Sequence, residues 1–473
     1  MTDTTSPPSR DGSDPVPPVE PAGGPAAGPT GSVGRQAASG VLWMTAQTWL
    51  ARAGGLVTIA ILARLLSPED FGLVAVASTL LTLTYVLADL GLSTYVVQAV
   101  AVERRSLSTA FWVSLLSGLA LGLAIFLGAP GIAQLFHAPR AEPILQVMTL
   151  IVVLISLTSV PLALMRRRMQ FRLLAFQFSI GAILAQVVAI VAAFAGLGVW
   201  ALVLQLVVGQ AVASVTQWIS ARWRPTLEFS GSDFKVMIRY GINVVGSGLV
   251  FVGRGWAETA IIAAGLGIRE LGYLNIAQRL VQTATDLSGA AILPVSTVAF
   301  AKVNSSKARL QDAHARATAV SQTIVSPIMV LIVVSAPVLV PLLFGQEWGL
   351  SARLAPPLAI AATLSFGTAI DRGLLDGVGR PGRWMVFTTV ICALSVTVIA
   401  LAVPSGLLVI AVVYAAVSSV ELVGRWVLLG HFLEAGFLPT ARPWLMVLPA
   451  VLASGLAGSA TMWVLRGAPD LVT

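Results

Sequence analysis

The chain has 473 residues, 56% hydrophobic and only 11% charged, with a net charge of +8 and a mean hydropathy of +0.87. A soluble domain carries about 25% charged residues. This composition therefore excludes a soluble globular protein and fits an all-α polytopic membrane protein.

Residues 1–34, "MTDTTSPPSRDGSDPVPPVEPAGGPAAGPTGSVG", are rich in Pro, Gly, Ser and Asp. Such a segment cannot offset its ordering entropy by burial, so a disordered tail is expected. It is not a signal peptide, because no apolar core follows a basic start. Beyond Gly34, apolar runs lie near 40–66, 71–97, 107–127, 143–165, 174–195, 198–220, 240–263, 272–300, 319–344, 355–376, 384–403, 406–429 and 444–465. A span needs about 20 apolar residues, so the expectation is about 13 transmembrane helices, within a range of about 12–14.

Lys and Arg orient these spans. One alternate set of loops holds Arg104, Arg105, the "RRRMQFR" run from Arg166, Arg222, Arg224, Lys235, Arg239, Lys302, Lys307, Arg309, Arg316, Arg380, Arg383 and Arg442. The other holds only Arg140, Arg269, Arg353 and Arg466. The first set and the N-terminus are placed on the cytoplasmic side. The basic charge then follows from topology and anionic lipid headgroups, and nucleic acid is excluded as a partner. The longest outer loop is expected at about 128–142, too short for a domain.

Enzyme chemistry finds no support. His137, His314 and His431 are far apart and have no Cys or His at ligand spacing, so no metal site is expected. None of the three lysines follows a glycine, which excludes a P-loop. No cofactor is implied. The lone Cys392 excludes an internal disulfide framework.

The chain repeats weakly at an offset of 200. "LLSPEDFGLVAVAST" from Leu65 echoes "GLGIRELGYLNIAQR" from Gly265, with Leu66/Leu266, Asp70/Glu270, Gly72/Gly272 and Ala77/Ala277 in register. "APGIAQLF" from Ala129 echoes "APVLVPLLF" from Ala336. Two parallel six-helix lobes, 35–233 and 234–443, follow from this, related by an axis along the membrane normal. Residues 444–473 form an additional C-terminal helix outside them.

The motifs "ARLLSPEDFG", "ADLGLS", "GQEW" near Gln346 and "DGVGRP" near Asp376 resemble the polysaccharide transporter family. That family belongs to the multidrug/oligosaccharidyl-lipid/polysaccharide exporter superfamily. The resemblance covers everything after the tail. It implies a flippase of the bacterial cytoplasmic membrane that carries lipid-pyrophosphate-linked sugar units outward during exopolysaccharide or lipopolysaccharide biosynthesis. The expected partners are lipid-linked oligosaccharide, membrane lipids, an H+ or Na+ gradient, and a polymerase/export complex. Alternatives are a cation-coupled multidrug exporter and a peptidoglycan-precursor flippase of the same superfamily.

Charges inside the spans locate candidate sites. Arg52 lies mid-span without an acidic neighbour on its own helix, and Arg254 lies at almost the same depth of span 7. Arginine at the bilayer centre costs about 2.5–3.5 kcal/mol even on lenient scales, so both are expected to face a wet cavity. Two guanidinium forks suit a pyrophosphate. Glu258, one turn after Arg254, offers an internal pair instead. Arg279 joins the anion-binding candidates, with Asp286 on its face as an ion-pair partner. Asp89, Glu258, Asp286 and Glu421 are the candidates for ion coupling or structural ion pairs. Asp89 is expected to lock a helix end against Arg104 or Arg105, and Glu421 has Arg425 one turn on. Pro327, Pro337 and Pro341 argue for a kink in span 9.

Overall fold

The computed structural model describes residues 49–98, 102–289, 307–377 and 381–467. The Pro-rich tail and the ends of the 40–66 and 272–300 runs lie outside them. Among the described residues the chain is all helical and multi-pass, with ten helices long and apolar enough to cross a membrane.

Helix α1 covers 49–65, followed by α2 (Pro68–Asp89), α3 (Leu92–Gln98), α4 (Arg104–Leu135), α5 (Glu142–Arg167), α6 (Phe171–Phe194) and α7 (Val199–Ala221). The second half holds α8 (Gly231–Leu266), α9 (Ile268–Gly289), α10 (Lys307–Phe344), α11 (Gly349–Ser365), α12 (Thr368–Gly377), α13 (Pro381–Ala402) and α14 (Leu407–Phe432). A last helix, α15 (Phe437–Gly467), packs against α10 and α14. Its apolar window is only 6% buried, so it sits at the periphery as an addition to the bundle.

Several expected spans differ from the observed helices. The 71–97 run is broken at Leu90 and Gly91, both at positive φ. The Asp89 carboxylate accepts from the Ser93 backbone N–H and from its hydroxyl, at 3.2 and 2.6 Å. This local alternative to the helical ladder stops α2 and starts α3. The 355–376 run is split between α11 and α12. The outer loop expected at 128–142 is mostly helix, because α4 continues through Pro130 to Leu135 and leaves only a short 3-10 turn, Pro139–Ala141. Helix α10 begins twelve residues before the apolar run, since "KARLQDAHARAT" is built of good helix formers. Pro327, Pro337 and Pro341 all lie inside this one continuous helix.

The two halves meet most closely along α2 and α9. The Ser67 side chain accepts from the Asp70 N–H, Asp70 accepts from the Ser67 N–H, and Pro68 occupies the first turn. This capping box fixes the start of α2. Gly267, at φ +104°, provides the corresponding entry to α9. A Cβ on Gly72 would lie 1.9 Å from the Ile268 carbonyl oxygen, and one on Gly272 would lie 1.8 Å from that of Pro68. The contact is reciprocal, and all four positions obey the 200-residue offset. The weak sequence echo thus marks the place where each half presses on the other's backbone.

Trp348 seals this end. It is fully buried, its indole N–H donates to the Ala63 carbonyl at 2.9 Å, and its ring meets Phe71 and Tyr273 edge-on at 5.3 and 5.8 Å. Arg64 crosses from α1 to donate to the Leu342 and Leu343 carbonyls at 2.5 and 3.3 Å. These are the last carbonyls of α10, which have no partner within the helix.

Candidate functional site

Below the closed end, α1, α8 and α9 carry the intramembrane arginines. Counted from the ends of their helices at the turns, Arg52 and Arg254 lie about 18–20 Å down at helical rise. The pseudo-equivalent helices therefore place a guanidinium at one depth, as their spacing predicts. Their partners differ.

Arg52 Nη2 lies 2.8 Å from Asp286 Oδ2, an ion pair that joins α1 of one half to α9 of the other. The two side chains are unequal: Arg52 is 52% exposed and Asp286 only 20%. Gln282 donates to the other Asp286 oxygen at 2.7 Å. Arg52 was expected to have no acidic partner on its own helix and Asp286 to pair with Arg279; instead Arg52 and Asp286 pair with each other across the halves. Arg279 turns elsewhere, donating to Asn275 at 2.9 Å. Seven residues bring Arg279 and Asp286 onto one helix face, but side chains on one face pair only if no better partner stands opposite.

Arg254 does pair with Glu258, at 2.7 Å one turn apart. Glu258 is buried and also accepts from Ser395 and Tyr414 at 2.6 and 2.9 Å. The carboxylate thus ties α8 to α13 and α14, and each oxygen has a donor. Nearby, the Thr79 and Thr259 hydroxyls meet at 3.3 Å across the two halves.

The remaining candidates have other partners. Asp89 accepts from Ser159 at 2.5 Å as well as from Ser93, in place of the expected Arg104 or Arg105. Arg105 instead donates to Ser230. Glu421 accepts from Thr368 at 3.1 Å. Arg425, one turn on, gives its ion pair to Asp371 at 2.8 Å. His314 lies 2.6 Å from the other Asp371 oxygen. Reading the sequence for metal ligands missed this His314–Asp371–Arg425 cluster, because its members come from three helices. The available signal was an aspartate, Asp371, within an apolar run, and an arginine, Arg425, midway along the apolar α14.

This architecture and this chain have relatives. The chain is 29% identical to the succinoglycan biosynthesis transport protein ExoT of Rhizobium meliloti over 78% of this chain and 76% of that one. It is 25% identical to the lipopolysaccharide biosynthesis protein WzxC of Escherichia coli over 72% and 68%. A solved structure of the lipid II flippase MurJ, in an inward closed conformation, superposes with a TM-score of 0.70 at 13% identity, covering 91% of this chain and all of that one. The fold is therefore shared with MurJ. The model of the polysaccharide biosynthesis protein family matches residues 61–353, and the chain belongs to that family.

Proposed function

We propose that the protein translocates polyprenyl-pyrophosphate-linked oligosaccharide units across the cytoplasmic membrane by alternating access. The observation that carries this is the asymmetry of the Arg52–Asp286 pair, whose exposed member at the junction of the halves is the cation. An anionic pyrophosphate could compete for that guanidinium, whereas a cationic drug would need the acid exposed. The relatives named for succinoglycan transport and lipopolysaccharide biosynthesis support the same cargo class.

In this reading the basic loops and the N-terminal tail (1–34) are cytoplasmic. Residues 35–233 and 234–443 act as two rocking lobes, and 444–473 adds a lipid-facing helix. The closed end then faces outward, and the state is inward-facing. Cargo enters from the cytoplasm, displaces Asp286 from Arg52, and loosens the bond between halves. Arg254 and Arg279 extend the basic lining. An H+ or Na+ gradient drives the cycle, and a polymerase takes the flipped unit.

The test is a reciprocal pair of variants. R52D and D286R each leave like charges facing one another, while R52D/D286R restores the pair with reversed polarity. Polymer export and flipping of a fluorescent polyprenyl-pyrophosphate sugar in proteoliposomes are measured at matched protein levels. Loss in both singles and in the double supports cargo contact by Arg52. Full rescue in the double shows a latch only and overturns the reading.

A further inference from the structure

A second charged constellation lies in the C-terminal half, on α10, α12 and α14, and the cargo path proposed above does not use it. Asp371 on α12 stands between two cations or potential cations. Its Oδ2 accepts from Arg425 Nη1 at 2.8 Å, and its Oδ1 lies 2.6 Å from His314 Nε2. Arg425 is 1% exposed and also donates to the Leu364 carbonyl at the end of α11. Glu421 precedes Arg425 by one turn, is itself buried, and accepts from Thr368 at the start of α12. Gly367 permits the arrangement, since a Cβ there would stand 3.0 Å from Arg425 Nη1.

Charge counting gives this cluster a definite capacity. Arg425 and Asp371 cancel. Glu421 then leaves one negative charge, which an imidazolium at His314 neutralises. The set is neutral with one titratable proton and carries −1 without it. An uncompensated buried charge is costly, so loss of that proton demands access for water. Nε2 is committed to Asp371, so the exchangeable proton is the one at Nδ1 of His314.

Access exists at the basic end. A cavity of about 800 Å³ is lined there by Lys307, Leu310, Arg383, Val427, His431 and Glu434 among others. Leu310 lies one turn before His314, and Val427 two residues after Arg425, so the cavity ends about one helical pitch, roughly 5 Å, from the cluster. At its mouth Lys307 pairs with Glu434, and that hydrogen bond and charge hold the Glu434 carboxyl below its usual range. The other charged groups on the packed elements at this depth are Arg309, Asp312 and Arg316 on α10, Arg372 on α12, Arg383 on α13 and Arg442 on α15, all exposed. Among the described side chains, the four of the cluster are the charged or titratable groups at this depth that are shielded from bulk water.

We propose that His314, held by Asp371 and Arg425 and balanced by Glu421, binds the proton whose movement drives translocation. The proton leaves His314 through the Lys307–Glu434 cavity while the basic end is open. Its loss leaves the cluster negative and hydrated, which changes how α12 sits between α10 and α14. This deepens the reading of the chain as a gradient-driven flippase and rests on it for the coupling, though not for the proton site itself.

Two measurements separate these claims. In the first, purified protein with isotope-labelled histidine is titrated by infrared difference spectroscopy without cargo. Wild type should show an imidazole protonation band that H314Q lacks; identical bands overturn the site. In the second, proteoliposomes carry a pH gradient, a lumenal pH dye and a fluorescent polyprenyl-pyrophosphate sugar. Wild type should accumulate cargo with proton flux, while H314Q loses driven accumulation and keeps downhill exchange. Driven accumulation intact in H314Q, or wild type driven by a sodium gradient with no proton flux, overturns the coupling. A band confined to wild type without any cargo movement would leave the proton site standing and sink the flippase reading instead. If H314Q fails to fold, as judged by its thermal melt, E421Q carries the second test. It removes the balancing charge and should show the same loss of driven accumulation, and unchanged driven transport would overturn the proposal.

Discussion

Replacing Gly72 by Ala should push the protein out of the state in which the α2 and α9 ends are pressed together. The added Cβ would lie 1.9 Å from the Ile268 carbonyl oxygen and 2.8 Å from its carbon. An unstrained carbon–oxygen contact needs about 3.3 Å, so the backbones must separate by more than an ångström. Overpacking of this kind costs about 1–3 kcal/mol. The opposing state lacks the contact and is not penalised. The equilibrium should therefore move toward it by roughly 5- to 150-fold, at tenfold per 1.4 kcal/mol. G272A meets the Pro68 carbonyl at 1.8 Å and should act alike. The double variant should fall short of the product, because one separation relieves both clashes. The assay is labelling of a cysteine at Ser67, in a C392S background, by a membrane-impermeant maleimide added from outside. Labelling should accelerate in G72A, and disulfide formation between cysteines at Ser67 and Gly267 should slow. Labelling and crosslinking rates equal to those of the parent would refute the idea that this contact defines a conformational state.

Other outcomes follow from the same contacts. Trp348→Ala removes a fully buried ring and should lower stability by about 3–5 kcal/mol, read as a drop in melting temperature in detergent. Trp348→Phe keeps most of the packing but loses the bond to Ala63, so it should cost only about 1–3 kcal/mol. Glu258→Ala strands Arg254 and the Ser395 and Tyr414 hydroxyls, and R254A/E258A, which also removes a cation of the basic lining, should reduce transport further; a double variant that exports polymer better than E258A would mean that Arg254 only neutralises Glu258. Arg52→Lys keeps the charge facing Asp286 but loses the bidentate fork, so it should retain the melting temperature while cargo flipping falls.

Much of this architecture was readable from local pattern. Apolar runs located most helices, since lipid demands about 20 apolar residues per crossing. The 200-residue echo found Gly72 and Gly272, because a backbone–backbone contact leaves only glycine as a solution at both ends. The breaks after Asp89 and around Gly367 were not readable. At Asp89 the apolar run continues past the break, whose cause is a carboxylate satisfying the next turn; at Gly367 the bond to the end of α11 comes from Arg425 on another helix. Ion-pair partners were harder still. Glu258 was found because its arginine is one turn away. Asp286 was misassigned and the Arg425 pair missed, because their partners lie 234 and 54 residues off in sequence. Charge within a helix announces that a partner exists, but tertiary packing chooses it.

The bonds across the closed end have one further property. Arg64 and Trp348 both donate to main-chain carbonyls, those of Leu342, Leu343 and Ala63. Every residue type carries that acceptor. Selection on this seam therefore falls on the donors, while the acceptor positions are free to drift among helix-compatible apolar residues. Covariation across the seam will be one-sided, with an arginine and a tryptophan held steady opposite positions that vary independently. Methods that infer contacts from paired substitutions will be blind to these polar bonds joining the two halves.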